Sequence, residues 1–163
     1  MSPMSKGFAS FAVAAVLSSP AGAQGVLTQK NVSVAMAQTI ANAALAQCQS
    51  MGFKVAVAVV DRGGQTIVML RDDGAGLHTP EGAERKAFTA RTFSQPSADF
   101  VKRLVDRPDT VGSRQYTRVL ALGGGLPIKA GNEVIGAVGV SGSPGKDEVC
   151  SQAGIDKVAD QLK

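Results

Sequence analysis

The order of hydrophobic and polar positions predicts a helix and then a strand hairpin in the first half of the chain. From Thr28 to Met51, apolar and small residues recur at the three- and four-residue spacing of an amphipathic helix, which Gly52 ends. From Lys54 to Asp61 the chain is almost continuously apolar, which is typical of a strand buried on both faces. After the turn at Arg62-Gly63-Gly64, residues Gln65 to Arg71 form the returning strand.

The second half predicts two more helices and several short strands. Thr79 as N-cap and Pro80 in the first turn indicate a helix that runs to about Phe93, and a short helix follows over Ser97–Val105. Asp106 to Thr117 has no clear period, so we expect a loop, which is a candidate cover for a binding site. The remaining predicted elements are strands at Val119–Ala121, Leu126–Lys129 and Glu133–Ser141, and a closing helix over Asp147–Leu162. This order indicates an α+β fold with an antiparallel sheet.

The first 23 residues differ from the rest and resemble a secretory signal peptide. Lys6 supplies a basic start, Phe8 to Leu17 an apolar stretch, and Ala21-Gly22-Ala23 a cleavage site before Gln24. The apolar stretch is shorter than the ~20 residues that a bilayer-spanning helix requires. We therefore expect export to the periplasm or the medium, no membrane span after cleavage, and a single mature domain over residues 24–163.

Composition narrows the possible functions. The chain has 163 residues, of which 44% are hydrophobic and 18% charged, as expected of one compact domain. Loss of Lys6 with the signal peptide lowers the formal net charge from +4 to +3. Because the basic residues are scattered among thirteen acids, nucleic-acid binding is not expected, whereas a small anion or the carboxylates of a cofactor remain possible partners.

Common catalytic motifs are absent from the sequence. No G-x-S-x-G or G-x-G-x-x-G occurs, and one histidine cannot build a multi-histidine zinc site. An enzyme would need a general acid or base, and these candidates show no paired-carboxylate spacing: Asp61, Asp72, Asp73, His78 and Lys86. No catalytic residue is therefore assigned.

The two cysteines lie in the first and last predicted helices. In an exported protein, Cys48 and Cys150 are expected to form a disulfide that joins these helices; two buried reduced thiols are the alternative. Closing a loop of that length stabilises the folded state by up to about 4 to 5 kcal/mol in the chain-entropy model.

Four polar residues are candidates for ligand binding. His78 and Tyr116, the sole histidine and tyrosine, lie in loops, where binding groups are often found, although both could equally be surface residues. Lys86 flanks the Ala83/Ala90 stripe of its helix, so it either reaches solvent or holds an anionic group. Arg85 is four residues after Glu81, the spacing of an exposed ion pair.

Five blocks in order resemble the GlcG/HbpS family of haem-binding proteins across essentially the whole mature chain. The blocks are Val59–Gly64, Leu70–Ala75, Lys86–Ala90, Gly124–Ile128 and Gly136–Gly142. The resemblance implies a profilin-like fold with helices on a five-stranded antiparallel sheet, homo-oligomeric assembly and, in some members, haem binding. The chain is also similar to the C-terminal part of PduO-type proteins, so a related tetrapyrrole is a second possible ligand. Lys86 matches a position of a family block.

The leading hypothesis is therefore an exported protein for haem capture, storage or sensing. His78 is the expected axial ligand, because imidazole binds iron at neutral pH while the phenol of Tyr116 must first lose a proton. Lys86 and Arg85 are expected near the haem carboxylates. The alternatives are an accessory protein or an enzyme of small organic-acid, glycolate-type metabolism. Alanine-rich helix faces further suggest a homo-oligomer: Ala37, Ala41, Ala44, Ala83, Ala87 and Ala90.

Overall fold

The computed structural model describes Met1 and residues 25–163, so the predicted signal peptide lies outside the described residues apart from Met1. The helices are α1 (Val34–Ser50), α2 (Thr79–Phe93), α3 (Ser97–Asp106) and α4 (Asp147–Asp156), and the strands are β1 (Ala56–Val60), β2 (Thr66–Arg71), β3 (Gly125–Ala130) and β4 (Glu133–Ser141). Two 3-10 segments occupy Pro108–Gln115 and Ala159–Leu162. No helix in this described part is both long and apolar enough to cross a membrane.

The strands form one antiparallel sheet in the order β2-β1-β4-β3. Val59 of β1 lies opposite Val68 of β2 on one side and Val138 of β4 on the other. All five residues of β1 are buried, which confirms that its continuous apolar run belongs to a central strand. The predicted α+β fold with helices on an antiparallel sheet is confirmed.

Helices cover both faces of the sheet. Val55, Val57 and Val59 pack into the main core with α1 and α4. Alternate residues face the other way, where Ala56 and Ala58 cluster with Ala83 of α2. These small side chains let α2 approach so closely that a Cβ atom at Gly139 of β4 would lie 2.2 Å from the Ala83 carbonyl oxygen. Glycine in this strand therefore sets the depth at which α2 sits.

The prediction of a fifth strand is wrong, because the described sheet has four. The segment predicted as a strand, Val119–Ala121, instead bonds to side chains of α2. The Val119 carbonyl accepts a hydrogen bond from Arg85 (2.9 Å), and the Leu120 amide donates to Thr89 Oγ1 (2.9 Å). Its backbone groups are satisfied by a helix surface, so they do not need a neighbouring strand.

Several boundaries also differ from the prediction. α1 begins at Val34 because Ser33 accepts a hydrogen bond from the Met36 amide and caps the helix. The stretch expected to be a loop contains the 3-10 segment Pro108–Gln115. The closing helix ends at Asp156, before the second 3-10 segment.

The disulfide prediction is confirmed. Cys48 of α1 and Cys150 of α4 are bonded, with their Cα atoms 5.5 Å apart and both residues fully buried. The bridge joins the two helices on one face of the sheet. The six alanines proposed for an oligomer interface are all 0% exposed within the single chain, so they pack on its own sheet and helices.

Candidate functional site

A cavity of about 600 Å³ opens where α2 and α4 begin and β4 ends. We call it the His78 cavity. Its walls include His78, which precedes α2, Lys86 of α2, and Asp147 and Glu148 of α4. Two glycine-containing loops complete the walls: residues 122–124, before β3, and residues 142–145, after β4, together with the last residue of β4. The cavity therefore gathers segments that are far apart in sequence.

Glycines let the two loops approach their neighbours closely. Gly124 and Gly142 both have φ of +125°, a conformation that residues with a side chain rarely adopt. A Cβ atom at Gly124 would lie 2.7 Å from the Asp147 Cβ atom, and one at Gly142 would lie 2.7 Å from the Lys54 carbonyl oxygen. The glycines therefore let the cavity walls pack tightly against the rest of the domain.

His78 lies exposed at the cavity, directly before α2. The helix starts at Thr79, so His78 is the N-cap residue and the prediction of Thr79 as N-cap is wrong. The Thr79 hydroxyl donates to the Gly76 carbonyl (2.8 Å). The imidazole lies beside Gly76, where a Cβ atom would be 2.9 Å from its Cε1 atom. Neither ring nitrogen has a hydrogen-bond partner among the described residues, so both are available to a ligand.

Lys86 is buried, 1% exposed, which excludes one of its two predicted alternatives, that it reaches solvent. Its ammonium group donates to Asp147 Oδ2 at 2.7 Å and to the Val140 carbonyl at 3.1 Å. The pair is largely withdrawn from water, because the side chains are 2% and 12% exposed. Lysine has three N–H donors, so one remains for a ligand in the cavity.

Asp147 connects Lys86 to the disulfide through Ser143. Its Oδ1 atom accepts from the Ser143 amide (2.9 Å) and hydroxyl (2.7 Å), while Oδ2 binds Lys86. The Ser143 hydroxyl oxygen also lies 3.2 Å from the Cys48 sulfur. Every polar contact of the Asp147 carboxylate is thus made by a buried neighbour, and the network fixes the position of Lys86.

The remaining surface of the cavity combines apolar side chains with one further acid. Ala98, Leu122 and Pro144 are the apolar contributors, and Glu148 is the acid. Asp147 neutralises Lys86. The other polar groups of the lining are the His78 imidazole, the Ser141 hydroxyl and the Glu148 carboxylate, so the cavity can hold a largely apolar molecule with a coordinating or acidic group.

The predicted site residues separate into two places. His78 and Lys86 meet in the same cavity, whereas Arg85 and Tyr116 are not among its lining residues. Arg85 pairs with Glu81 at 2.9 Å, as its spacing predicted, and also donates to the Val119 carbonyl. Tyr116 is 63% exposed and lines a different cavity.

Sequence reasoning missed Asp147 and Ser143. They lie 61 and 57 positions after Lys86, and no local sequence pattern predicts that Asp147 contacts Lys86 and Ser143. The available signal was Asp147 in the first turn of a predicted helix, directly after the loop Ser141–Gly145, where an acid is favoured by the helix dipole. The described residues contain no group of three or more histidine, cysteine or acidic side chains placed to hold a bare metal ion.

Comparison with known proteins supplies a family. The family model for "Haem degrading protein HbpS-like" matches residues 32–156, which include every described lining residue of the His78 cavity. An uncharacterized 15.0 kDa protein in the dhaT-dhaS intergenic region of Citrobacter freundii is 30% identical over 128 residues, which cover 77% of this chain and 90% of that protein.

Two solved structures share the architecture. A double mutant of Streptomyces reticuli HbpS superposes with a TM-score of 0.77 at 34% identity, over 88% of this chain and 97% of that one. The PduOC:heme complex gives a TM-score of 0.70 at 26% identity, over 77% of this chain and 94% of that one. Both cover nearly the full length of the neighbour, so the likeness extends to the whole fold.

Proposed function

Because this chain belongs to the HbpS-like family, we propose that it is an exported haem-binding protein whose ligand occupies the His78 cavity. Haem capture, storage or sensing is the role that this proposal assigns to it. The family description names haem, and a structural neighbour with 26% identity is a haem complex. Both support a haem-related function, and the cavity supplies a place for the ligand.

The cavity suits haem in size and surface. Its volume of about 600 Å³ lies within the roughly 300–1,000 Å³ typical of small-molecule sites. Ala98, Leu122 and Pro144 offer apolar contact to a flat ring. The remaining N–H donor of Lys86 can meet a propionate, while Glu148 would repel one, so the propionates should point away from Glu148.

The observation that carries the proposal is the unpartnered imidazole of His78 beside this cavity. Histidine is a common axial ligand of haem iron. Of the strong iron-ligand residue types within the described chain, histidine is the one that the cavity lining contains. Bound haem would supply a redox-active iron, while the chain's own residues hold and orient the ring.

Hemin titration tests the proposal when it is combined with a variant that fills the cavity. Gly123 has no left-handed backbone, and a Cβ atom there would meet Ala98 and Glu148 at 3.4 and 3.6 Å, both ordinary contacts. Gly123→Leu should therefore fold but reduce hemin affinity at least about tenfold. Gly112→Leu is the matched control, because nothing lies within 4 Å of a Cβ atom at Gly112.

The wild-type protein and Gly112→Leu should develop a Soret band that saturates, and Gly123→Leu should not under the same conditions. Equal titration of all three proteins would place the ligand elsewhere. No Soret band in the wild type, together with a small organic acid that copurifies, would favour the alternative role in small organic-acid metabolism.

Haem degradation is a second candidate, favoured by the family description. Incubating the haem complex with ascorbate in air distinguishes the two roles. A carrier should keep its Soret band, with slow loss that catalase suppresses. Rapid loss that catalase does not affect, with release of chelatable iron, would indicate degradation by the protein.

Export is part of the proposal and has its own test. The residues that predict it, 1–23, precede the described domain. In a cell that secretes the protein, mass spectrometry of the mature form should find Gln24 as its first residue. An intact Met1 in the cytoplasmic fraction alone would contradict export.

A further inference from the structure

A second cavity, of about 510 Å³, lies between α2, α3 and the 3-10 segment Pro108–Gln115. We call it the Tyr116 cavity. It shares no lining residue with the His78 cavity, and the haem proposal makes no use of it. The residues that matter for its chemistry are Phe93, Arg103, Arg107 and Tyr116.

Arg103 is held in place by aromatic rings. Its guanidinium carbon lies 4.6 Å from the ring centre of Phe93 and 5.0 Å from that of Phe100. The two rings stack on each other at 4.3 Å, and Phe100 is fully buried. A guanidinium fixed on a rigid aromatic surface loses little conformational entropy when it binds a ligand.

The same guanidinium has no acid partner in the described part of the chain. No carboxylate there lies within 4.0 Å of it, and none of its N–H groups has a hydrogen-bond acceptor. Its Nε atom is shielded from solvent as well as unpartnered. A ligand would therefore be met by the two Nη groups of Arg103, which also lack an acceptor among the described residues and are not shielded in this way.

The neighbouring groups extend the positive character of the site. Arg107 forms an exposed pair with Asp109 at 3.1 Å, with side chains 64% and 67% exposed, which water weakens. Between residues 99 and 118 the chain carries five basic and three acidic residues. The Tyr116 hydroxyl has no hydrogen-bond partner among the described residues, so it can donate to the same ligand.

We propose that the Tyr116 cavity binds a small aromatic carboxylate, with the carboxylate on Arg103. The planar fork of a guanidinium matches the two oxygens of a carboxylate, and such charge-assisted bonds are strong. Phe93 and Tyr116 supply apolar ring surface beside it, which suits a flat organic body better than an inorganic anion. The site is independent of the haem proposal.

Calorimetric titration with benzoate tests this site on the full chain. Benzoate should bind, while benzamide, its neutral counterpart, should bind at least about tenfold more weakly because it lacks the charge. Arg103→Gln should lower benzoate affinity at least about tenfold. Arg103→Lys keeps the charge without the planar fork, so its benzoate affinity should fall between those of wild type and Arg103→Gln.

Arg114→Gln is the matched control, because Arg114 lies in the same segment but does not line the cavity. It should leave benzoate affinity within about twofold of wild type. Should Arg103→Gln fail to unfold cooperatively, Tyr116→Ala serves instead. Its side chain is 63% exposed, so the fold should survive and benzoate should bind more weakly.

Three results would overturn the proposal: equal binding of benzamide and benzoate, unchanged benzoate affinity in Arg103→Gln, or binding of inorganic phosphate in place of benzoate. Hemin titration of Arg103→Gln separates the two sites. Its Soret titration should match that of wild type whatever the benzoate result, and benzoate should not displace bound hemin.

Discussion

Single side chains in the His78 cavity differ in what they can do for a ligand. His78 has free ring nitrogens and few packing contacts, whereas Lys86 is buried and tied to two acceptors. The first residue is therefore free to bind iron at little cost to folding. Lys86 stabilises the walls of the cavity through these two bonds, and its third N–H group can bind a ligand.

His78→Ala should shift the Soret maximum and weaken hemin binding, because it removes the expected axial ligand. Stability to urea should stay close to wild type, since the side chain is exposed and makes no hydrogen bond among the described residues. Absorption spectra during hemin titration measure the first effect. Tyr116→Phe is the control and should titrate like wild type, because Tyr116 lines the other cavity. An altered spectrum in Tyr116→Phe, with an unchanged spectrum in His78→Ala, would make Tyr116 the axial ligand instead of His78.

Lys86→Met should destabilise the fold by about 3–5 kcal/mol, because it leaves the Asp147 carboxylate buried without its cation. The double variant Lys86→Met/Asp147→Asn should recover part of that loss. The asparagine oxygen can still accept from Ser143, and no buried charge remains. Urea unfolding measures both. A double variant no more stable than the single one would show that the loss does not come from the unpaired Asp147 carboxylate.

At the scale of elements, the disulfide joins α1 to α4, and α4 begins with the two acids of the His78 cavity. The bridge spans 102 positions, so it constrains most of the chain that forms the sheet. Ser143 contacts its sulfur and the Asp147 carboxylate together. The position of the cavity wall therefore depends on how α4 is held against α1.

Cys48→Ala/Cys150→Ala should lower the free energy of unfolding by about 4–5 kcal/mol, because the unfolded chain regains the entropy of a long open loop. Chemical denaturation measures the change. Dithiothreitol should bring the wild type close to the variant and leave the variant unaffected. Identical unfolding curves for wild type and variant, without reductant, would show that the bridge contributes no stability.

At the scale of the whole molecule, several large apolar side chains are exposed, including some on α3 and on the segment that follows it. Val105 of α3 is 74% exposed, and Tyr116 (63%) and Leu122 (52%) lie on the segment between α3 and β3. Exposed apolar side chains are often covered by a partner. These side chains replace the buried alanine faces as the basis for proposing a homo-oligomer.

Light scattering should find a dimer or a larger assembly at micromolar concentrations. Val105→Lys should shift the assembly toward monomer, since it replaces an exposed apolar side chain with a charged one. Val26→Lys is the control, because Val26 is 83% exposed but lies before α1, at the other end of the domain sequence. A monomer at every concentration would contradict the proposal.

The sequence alone determined most of the elements and the bond between the first and last helices. Periodicity marked β1 as central and α2 as a helix to Phe93, because burial on one or two faces leaves a local pattern. The predicted export signal and the two cysteines led to the disulfide prediction, and both cysteines lie in helices that the bond joins. His78 and Lys86 were chosen from their residue type and local position, and both line the cavity.

Tertiary structure decided what distant residues do to one another. It replaced the fifth strand with contacts from Val119 and Leu120 to α2, and it paired Lys86 with Asp147 across 61 positions. It also separated Tyr116 from His78. Such outcomes depend on which surfaces come into contact when helices pack on a sheet. The residues adjacent in sequence do not determine those contacts.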